Sequence, residues 1–263
     1  MASRRRGFLV AGNWKMGGSR AGVQALAAAV GAGAARRVDR VQLVVFPPLP
    51  YLGEAQQRLH GSGLAWGAQN VSEHDGGAYT GEVSTTMLRE FGCACVLVGH
   101  SERRTRFGES DVVVARKFLA ARKAGLTPLL CVGDSRPERE QGATEAVLAR
   151  QLQAVLDVAG AGAFADAVVA YEPVWAIGAG PSVSPEQVQA VHAFIRRHLA
   201  QADPEAAGGL HIVYGGSMRR ANAQDLLALP DIDGGLLGGA SLNVDELLAV
   251  ALTAQRLAQD CGP

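Results

Sequence analysis

The chain has 263 residues, 48% of them hydrophobic, and its 25 basic and 25 acidic residues cancel to a formal charge of zero. That length and apolar content suit one α/β domain with a large core, and the even balance removes any electrostatic case for a nucleic-acid or membrane-surface partner. No apolar run is long enough to cross a bilayer, and no basic segment with an apolar core and cleavage site opens the sequence, so a cytoplasmic protein is expected.

The basic run Arg4-Arg5-Arg6 falls in residues 1–7, which are expected to be a frayed, solvated tail. From there, short β-rich runs recur at 8–14, 41–47, 64–70, 95–100, 127–133, 167–173, 211–216 and 234–239. Each is followed by a stretch with helical signals, the pattern of parallel strands joined by right-handed crossovers. After the third run comes a long loop, 70–84, rich in glycine and polar residues. After the fourth, Ser110-Asp111 opens a helix carrying Val114, Phe118 and Ala121 on one face and stopping at Gly125. The Ala/Gly-rich segment 158–163 reads as a loop. Beyond the sixth run, Ser184-Pro185-Glu186-Gln187 supplies an N-cap, a first-turn proline and a capping-box partner, and Val188, Val191, Ile195 and Leu199 form the apolar face. His192 and His198 on that helix read as solvated positions. Cys93, Cys95, Cys131 and Cys261 read as reduced core thiols. Cys93-Ala94-Cys95 lacks the second Cys or His pair a metal site needs, so no metal is expected.

Eight strand-helix units with no linker predict one closed (β/α)8 barrel domain over residues 1–263. A doubly wound open sheet is the alternative, but no strand leads into Gly-x-Gly-x-x-Gly and a helix. In a barrel, function gathers where the strands end on their C-terminal side. There the first unit offers Asn13-Trp14-Lys15, the fourth His100-Ser101-Glu102 and the sixth Tyr171-Glu172. A carboxylate leaving a buried strand is partly desolvated and suits proton abstraction from carbon, and the glycine-punctuated segment behind Glu172 reads as a lid. Taken singly, the Glu could bridge to an arginine, the Lys could face solvent and the His could be structural. Together they suggest an acid/base site. The seventh and eighth strands end instead in glycine pairs, Gly215-Gly216 and Gly238-Gly239, whose backbone N–H groups can approach an anion, with a short helix expected to point its positive end inward. A phosphorylated substrate is implied, with tight turns as the alternative.

With these segments assembled, the chain resembles the triosephosphate isomerase family from about residue 10 to 242. The agreement runs through Ala11-Gly12-Asn13-Trp14-Lys15-Met16, Ala68-Gln69-Asn70, Gly77-Ala78-Tyr79-Thr80-Gly81-Glu82, Gly99-His100-Ser101-Glu102-Arg103-Arg104, the stretch 171–178, Tyr214-Gly215-Gly216-Ser217 and the stretch 238–242. The resemblance implies interconversion of dihydroxyacetone phosphate and D-glyceraldehyde 3-phosphate without metal or organic cofactor. By the same resemblance, Glu172 shuttles the carbon-bound proton, His100 serves the substrate oxygens as a neutral imidazole with its pKa lowered by a helix N-terminus, and Lys15 and Asn13 stabilise the enediolate. Glu102 supports that network. The phosphate rests on N–H groups of Gly178, Ser217, Gly238 and Gly239 beside Asn13 and Lys15.

The lid, Pro173, Val174, Trp175, Ala176, Ile177, Gly178, Ala179 and Gly180, continues to residue 183 and closes by bringing Gly178 to the phosphate and Ile177 with Leu236 against Glu172. Tyr214 and Ser217 latch it. The loop 70–84 implies a homodimer in which Thr80 lies near the partner's site. Three positions depart from the family pattern: Gly17 after Met16, Pro181 in the lid hinge, and Asp134 in place of a Glu after Cys131-Val132-Gly133. Two rival readings are a sister isomerase of a four-carbon ketose phosphate and a catalytically silent phosphate-binding barrel.

Overall fold

A computed structural model describes residues 6–29, 40–178 and 183–260. Eight strands, β1 (Phe8–Asn13), β2 (Val41–Phe46), β3 (Ala65–Ala68), β4 (Cys95–Val98), β5 (Thr127–Val132), β6 (Val168–Tyr171), β7 (His211–Tyr214) and β8 (Gly234–Leu237), pair in sequence order into a closed barrel. Every pairing is parallel, and β8 returns to β1 with Gly235 opposite Val10 to complete the ring. The fold is the predicted (β/α)8 barrel.

Parallel strands are covered on both faces, so alternate residues must fill two separate apolar layers. Leu9, Ala11, Val44, Phe46, Leu97, Leu129, Val168, Ala170 and Val213 pack inside the barrel. Their neighbours Val10, Leu43, Val45, Val96, Val98, Leu130, Val169 and Ile212 point outward beneath the helices. The major covering helices are α1 (Arg20–Ala29), α2 (Leu52–Leu59), α5 (Asp111–Lys123), α7 (Thr144–Ala159), α8 (Pro185–Ala200) and α11 (Val244–Asp260). Shorter helices, α3 (Thr85–Glu90), α4 (Ser101–Arg106), α6 (Arg136–Glu140), α9 (Pro204–Gly209) and α10 (Ala223–Leu227), lie between them.

The predicted signals hold at α5 and α8. Ser110 caps α5, with Val114, Phe118 and Ala121 buried, and Ser184 and Gln187 form the capping box of α8. Two glycines are dictated by contact. A Cβ on Gly234, whose φ is 147°, would lie 1.7 Å from the Leu9 carbonyl oxygen, and one on Gly133 would lie 1.9 Å from that of Glu172.

Several expectations need correction. The strands stop one or two residues earlier than the β-rich runs do, because the last residues of each run lie beyond the ladder. Segment 158–163 is not a loop throughout: α7 continues to Ala159, and Ala161–Phe164 forms a 3-10 turn that buries Phe164 against Phe118. Arg6 is not a solvated end, since Nε donates to Asp233 at 2.9 Å and the Nη atoms to the Gly208 and Pro230 carbonyls at 3.1 Å each. Nor is His192 solvated: it is wholly buried, donates from Nδ1 to the Asp231 carbonyl at 3.0 Å, and meets Tyr171 edge to face. Burial pushes its pKa down to about 4. Cys93, Cys95 and Cys131 are buried free thiols, as expected, and desolvation raises all three pKa values, that of Cys93 to about 12. Residues 1–5 and Cys261 lie outside the described residues. No described helix is long and apolar enough to cross a membrane.

Candidate active site

The C-terminal mouth of the barrel holds a cavity of about 450 Å³ lined by Asn13, Lys15, His100, Glu172, Ile177, Gly178, Gly216, Ser217, Leu236, Gly238 and Gly239, among others. The side chains predicted from three separate strand ends therefore meet around one space. A second cleft, about 470 Å³, lies behind Glu172 between Arg104, Asp111, Ser135 and Arg150. Neither His100 nor Lys15 lines it, so the three predicted side chains come together at the first.

Glu172 follows the last ladder residue of β6 and is 2% exposed. One carboxylate oxygen accepts the Ser101 backbone N–H at 2.8 Å, and the other is 2.9 Å from Nε2 of His100. His100 caps α4 and is 5% exposed. Its Nδ1 accepts the Glu102 N–H at 3.2 Å, which places the ring proton on Nε2, toward Glu172 and the cavity. Against the expectation of a lowered pKa from the helix end, the ring's pKa is raised: burial lowers it, but the facing Glu172 carboxylate and then Glu102 outweigh burial. The short α4 opposes two carboxylates, one of them in hydrogen-bond contact.

Lys15 follows β1 in a left-handed backbone conformation, φ 51°, alone among the described non-glycine residues. Such strain requires outside support. Asn13 Oδ1 accepts the Lys15 N–H at 2.9 Å, and Gln69 Nε2 donates to the Lys15 carbonyl at 2.8 Å. The side chain passes over Gly238, where a Cβ would lie 3.4 Å from Lys15 Cε, and ends 2.7 Å from Glu102. Glu102 has a lowered pKa: partial burial raises it, but the Lys15 ammonium prevails.

On the opposite wall, Ser217 is exposed and the Tyr214 hydroxyl is buried against Gly216, with desolvation pushing its pKa up to about 12. After β8 comes the expected short helix, a 3-10 turn over Gly239–Leu242. In the lid, Val174–Ala176 forms another 3-10 turn. Arg136 donates to the Trp175 carbonyl at 3.3 Å, and Arg139 lies 5.4 Å from the Trp175 ring centroid. Ala179, Gly180 and Pro181 lie outside the described residues. Thr80 is exposed in its loop, away from the residues lining the cavity.

Sequence reasoning missed three features. Asp134, fully buried, accepts from the Tyr171 hydroxyl at 3.0 Å and Thr144 Oγ1 at 2.7 Å, while its carbonyl accepts the Val174 N–H at 3.1 Å. It thus ties the base strand to the start of the lid. Gln69 was visible only as part of a motif. Arg219 also lines the cavity, two residues beyond the segment Tyr214-Gly215-Gly216-Ser217.

A parallel barrel whose C-terminal mouth sets a carboxylate, an imidazole and an ammonium group around one cavity defines a (β/α)8 enzyme built for acid/base work. The family model for triosephosphate isomerase matches residues 8–254. The chain is 59% identical to the triosephosphate isomerase of Thiobacillus denitrificans over 248 residues, 94% of this chain and 98% of that one. It is 56% identical to that of Dechloromonas aromatica over 246 residues, with the same coverage, and 52% identical to that of Nitrosomonas europaea over 251 residues, 95% and 99% of the two chains. The chain belongs to the triosephosphate isomerase family, and so to the isomerases.

Proposed function

We propose that this protein interconverts dihydroxyacetone phosphate and D-glyceraldehyde 3-phosphate in the cytoplasm, serving glycolysis and gluconeogenesis. The observation that carries the reading is the meeting of Glu172, His100 and Lys15 at one cavity. In the resting arrangement Glu172 is parked on Ser101 N–H and His100 Nε2. A substrate oxygen that takes the Nε2–H frees the carboxylate to turn to the adjacent carbon. Glu172 then removes that carbon's proton while the Lys15 ammonium and the His100 Nε2–H hold the negative oxygen of the enediolate. His100 gives its Nε2 proton to that oxygen and takes the hydroxyl proton from the neighbouring one, and Glu172 returns its proton to the neighbouring carbon, so that carbonyl and hydroxyl exchange places. Atoms and charge balance without any outside reactant. Asn13 keeps the Lys15 turn and reaches the same oxygen, and Glu102 fixes both Lys15 and the His100 tautomer.

The phosphate sits on the N–H groups of Gly178, Ser217, Gly238 and Gly239. Closure of the lid from Pro173 presses Ile177 and Leu236 about Glu172 and excludes water, which strengthens every charge interaction and prevents loss of phosphate from the enediolate. Tyr214 and Ser217 hold the closed state. The test is a coupled assay of the purified protein with glyceraldehyde 3-phosphate, a four-carbon ketose phosphate, and deuterated solvent. Preferred turnover of the triose with solvent deuterium entering its C–H position supports the reading. Binding without exchange, or a preference for the longer sugar, replaces it.

The same reading makes the protein a homodimer through residues 70–84. Residues 74–82 are consecutively exposed, and Met16, Leu49, Tyr79 and Met87 expose large apolar surfaces, Met16 fully at 102%. His74 stacks on Tyr79 with ring centroids 4.0 Å apart, which gives the loop a formed tip beside Thr80. A variant shortened in this loop is expected to sediment as a monomer of much lower activity. A fully active monomer would refute the coupling of assembly to catalysis.

A further inference from the structure

Among the described residues lining the cavity, Arg219 is the one basic side chain besides Lys15 and His100. Its position is built in. Met218, 2% exposed, anchors the loop beneath Gly235, the Arg219 N–H donates to Asn222 Oδ1 at 2.8 Å, and Asn222 Nδ2 donates back to the Ser217 carbonyl at 2.8 Å. The loop is thereby closed on itself, and Arg219, exposed, lines the cavity two residues from Ser217. Among the described residues, no carboxylate or hydrogen-bond acceptor holds its guanidinium. The adjacent Arg220 differs: it reaches Glu246 at 3.9 Å and the Asp245 carbonyl at 3.4 Å, on the outer side.

The charges around the cavity show what such a group is for. The Lys15 ammonium is already bound to Glu102 at 2.7 Å, and Glu172 adds a second carboxylate. Without Arg219 the site would present one committed cation against two carboxylates to a phosphate monoester, which carries between one and two negative charges. An uncommitted guanidinium at the Ser217 end offsets this, and its planar fork suits phosphate oxygens. We propose that Arg219 is a second cation of the phosphate subsite, drawing phosphorylated substrate in and holding it, with no part in proton transfer. This rests on the isomerase reading for its substrate, but the anion site itself can be tested apart from turnover.

The experiment compares wild type with Arg219→Gln, Arg219→Lys and the control Arg220→Gln, by kcat and kcat/KM for glyceraldehyde 3-phosphate at low and high salt and by calorimetric binding of inorganic phosphate. For Arg219→Gln, kcat/KM at low ionic strength is expected to fall about five- to tenfold, with kcat within about twofold and the loss shrinking at about 1 M salt, where charges are screened within a few ångströms. Phosphate binding should weaken by a similar factor. Arg219→Lys should keep most of both, and Arg220→Gln should match wild type. Unchanged phosphate affinity and kcat/KM in Arg219→Gln at low salt, or an equal loss in Arg220→Gln, overturns the proposal. Arg219-dependent phosphate binding in a protein that does not turn over the triose would uphold the anion site and reject the isomerase reading.

Discussion

The two ends of this barrel treat their charged side chains in opposite ways. At the N-terminal end, Arg196 bridges Asp231 at 2.6 Å and Asp233 at 2.7 Å and donates to the Ala207 and Leu210 carbonyls. Arg6 and Gln189 complete the same two carboxylates from the other side. At the C-terminal mouth, Lys15 has Glu102, Glu172 has groups a substrate can replace, and Arg219 has no partner among the described residues. A charge network that satisfies itself supports the fold. One left with spare hydrogen-bonding capacity, held in place by strain and by buried neighbours, is a site.

This contrast is broken most severely at the closed end. Arg196→Ala takes the shared arginine from two partly buried carboxylates, which keep only Arg6, Gln189 and the Ile212 N–H, and should cost about 3 kcal/mol in denaturant unfolding, while kcat of the folded fraction stays near wild type. A large loss of kcat there would show that the two ends are coupled. At the open end, Glu172→Asp withdraws the carboxylate by one methylene, about 1 Å, and should lower kcat about a hundredfold with the melting temperature nearly unchanged. Wild-type turnover would remove Glu172 from its role.

Between the ends stands His192, neutral when folded down to about pH 4. The unfolded ring takes up its proton near pH 6.5, so between those values the unfolded chain binds more protons and stability falls as pH drops. From pH 7.5 to pH 5 the expected loss from this group is about 2 kcal/mol, read as a steeper acid slope in wild type than in His192→Gln. Equal slopes would dismiss it. The smallest effect is expected from Tyr171→Phe, which deprives Asp134 of one of its two side-chain donors: about 1 kcal/mol of stability, with a change in lid relaxation detectable by Trp175 fluorescence.

The barrel was legible because its evidence is periodic: eight β-rich runs, each followed by helix signals, leave few topologies. That Lys15, His100 and Glu172 meet at the mouth was legible because each falls at the end of one run, where chain order alone brings it there. What escaped depended on partners distant in sequence. His192 looked like a polar residue on a helix, and nothing local reveals that Tyr171 lies against it. Asp134 finds Tyr171 and Thr144 only once β5, β6 and α7 are packed. Arg6 seemed the end of a solvated run because its acceptors lie over 200 residues away.

The absence of a side chain at Gly133 has a consequence for how this enzyme can change. The seat of the Glu172 carboxylate is defined by an empty space just beyond β5, so even a methyl group there would displace the backbone that carries Glu172. Variation across the mouth can retune affinity one position at a time, but this position permits no gradual route. Any lineage that altered it would have to rebuild the placement of Glu172 in the same step.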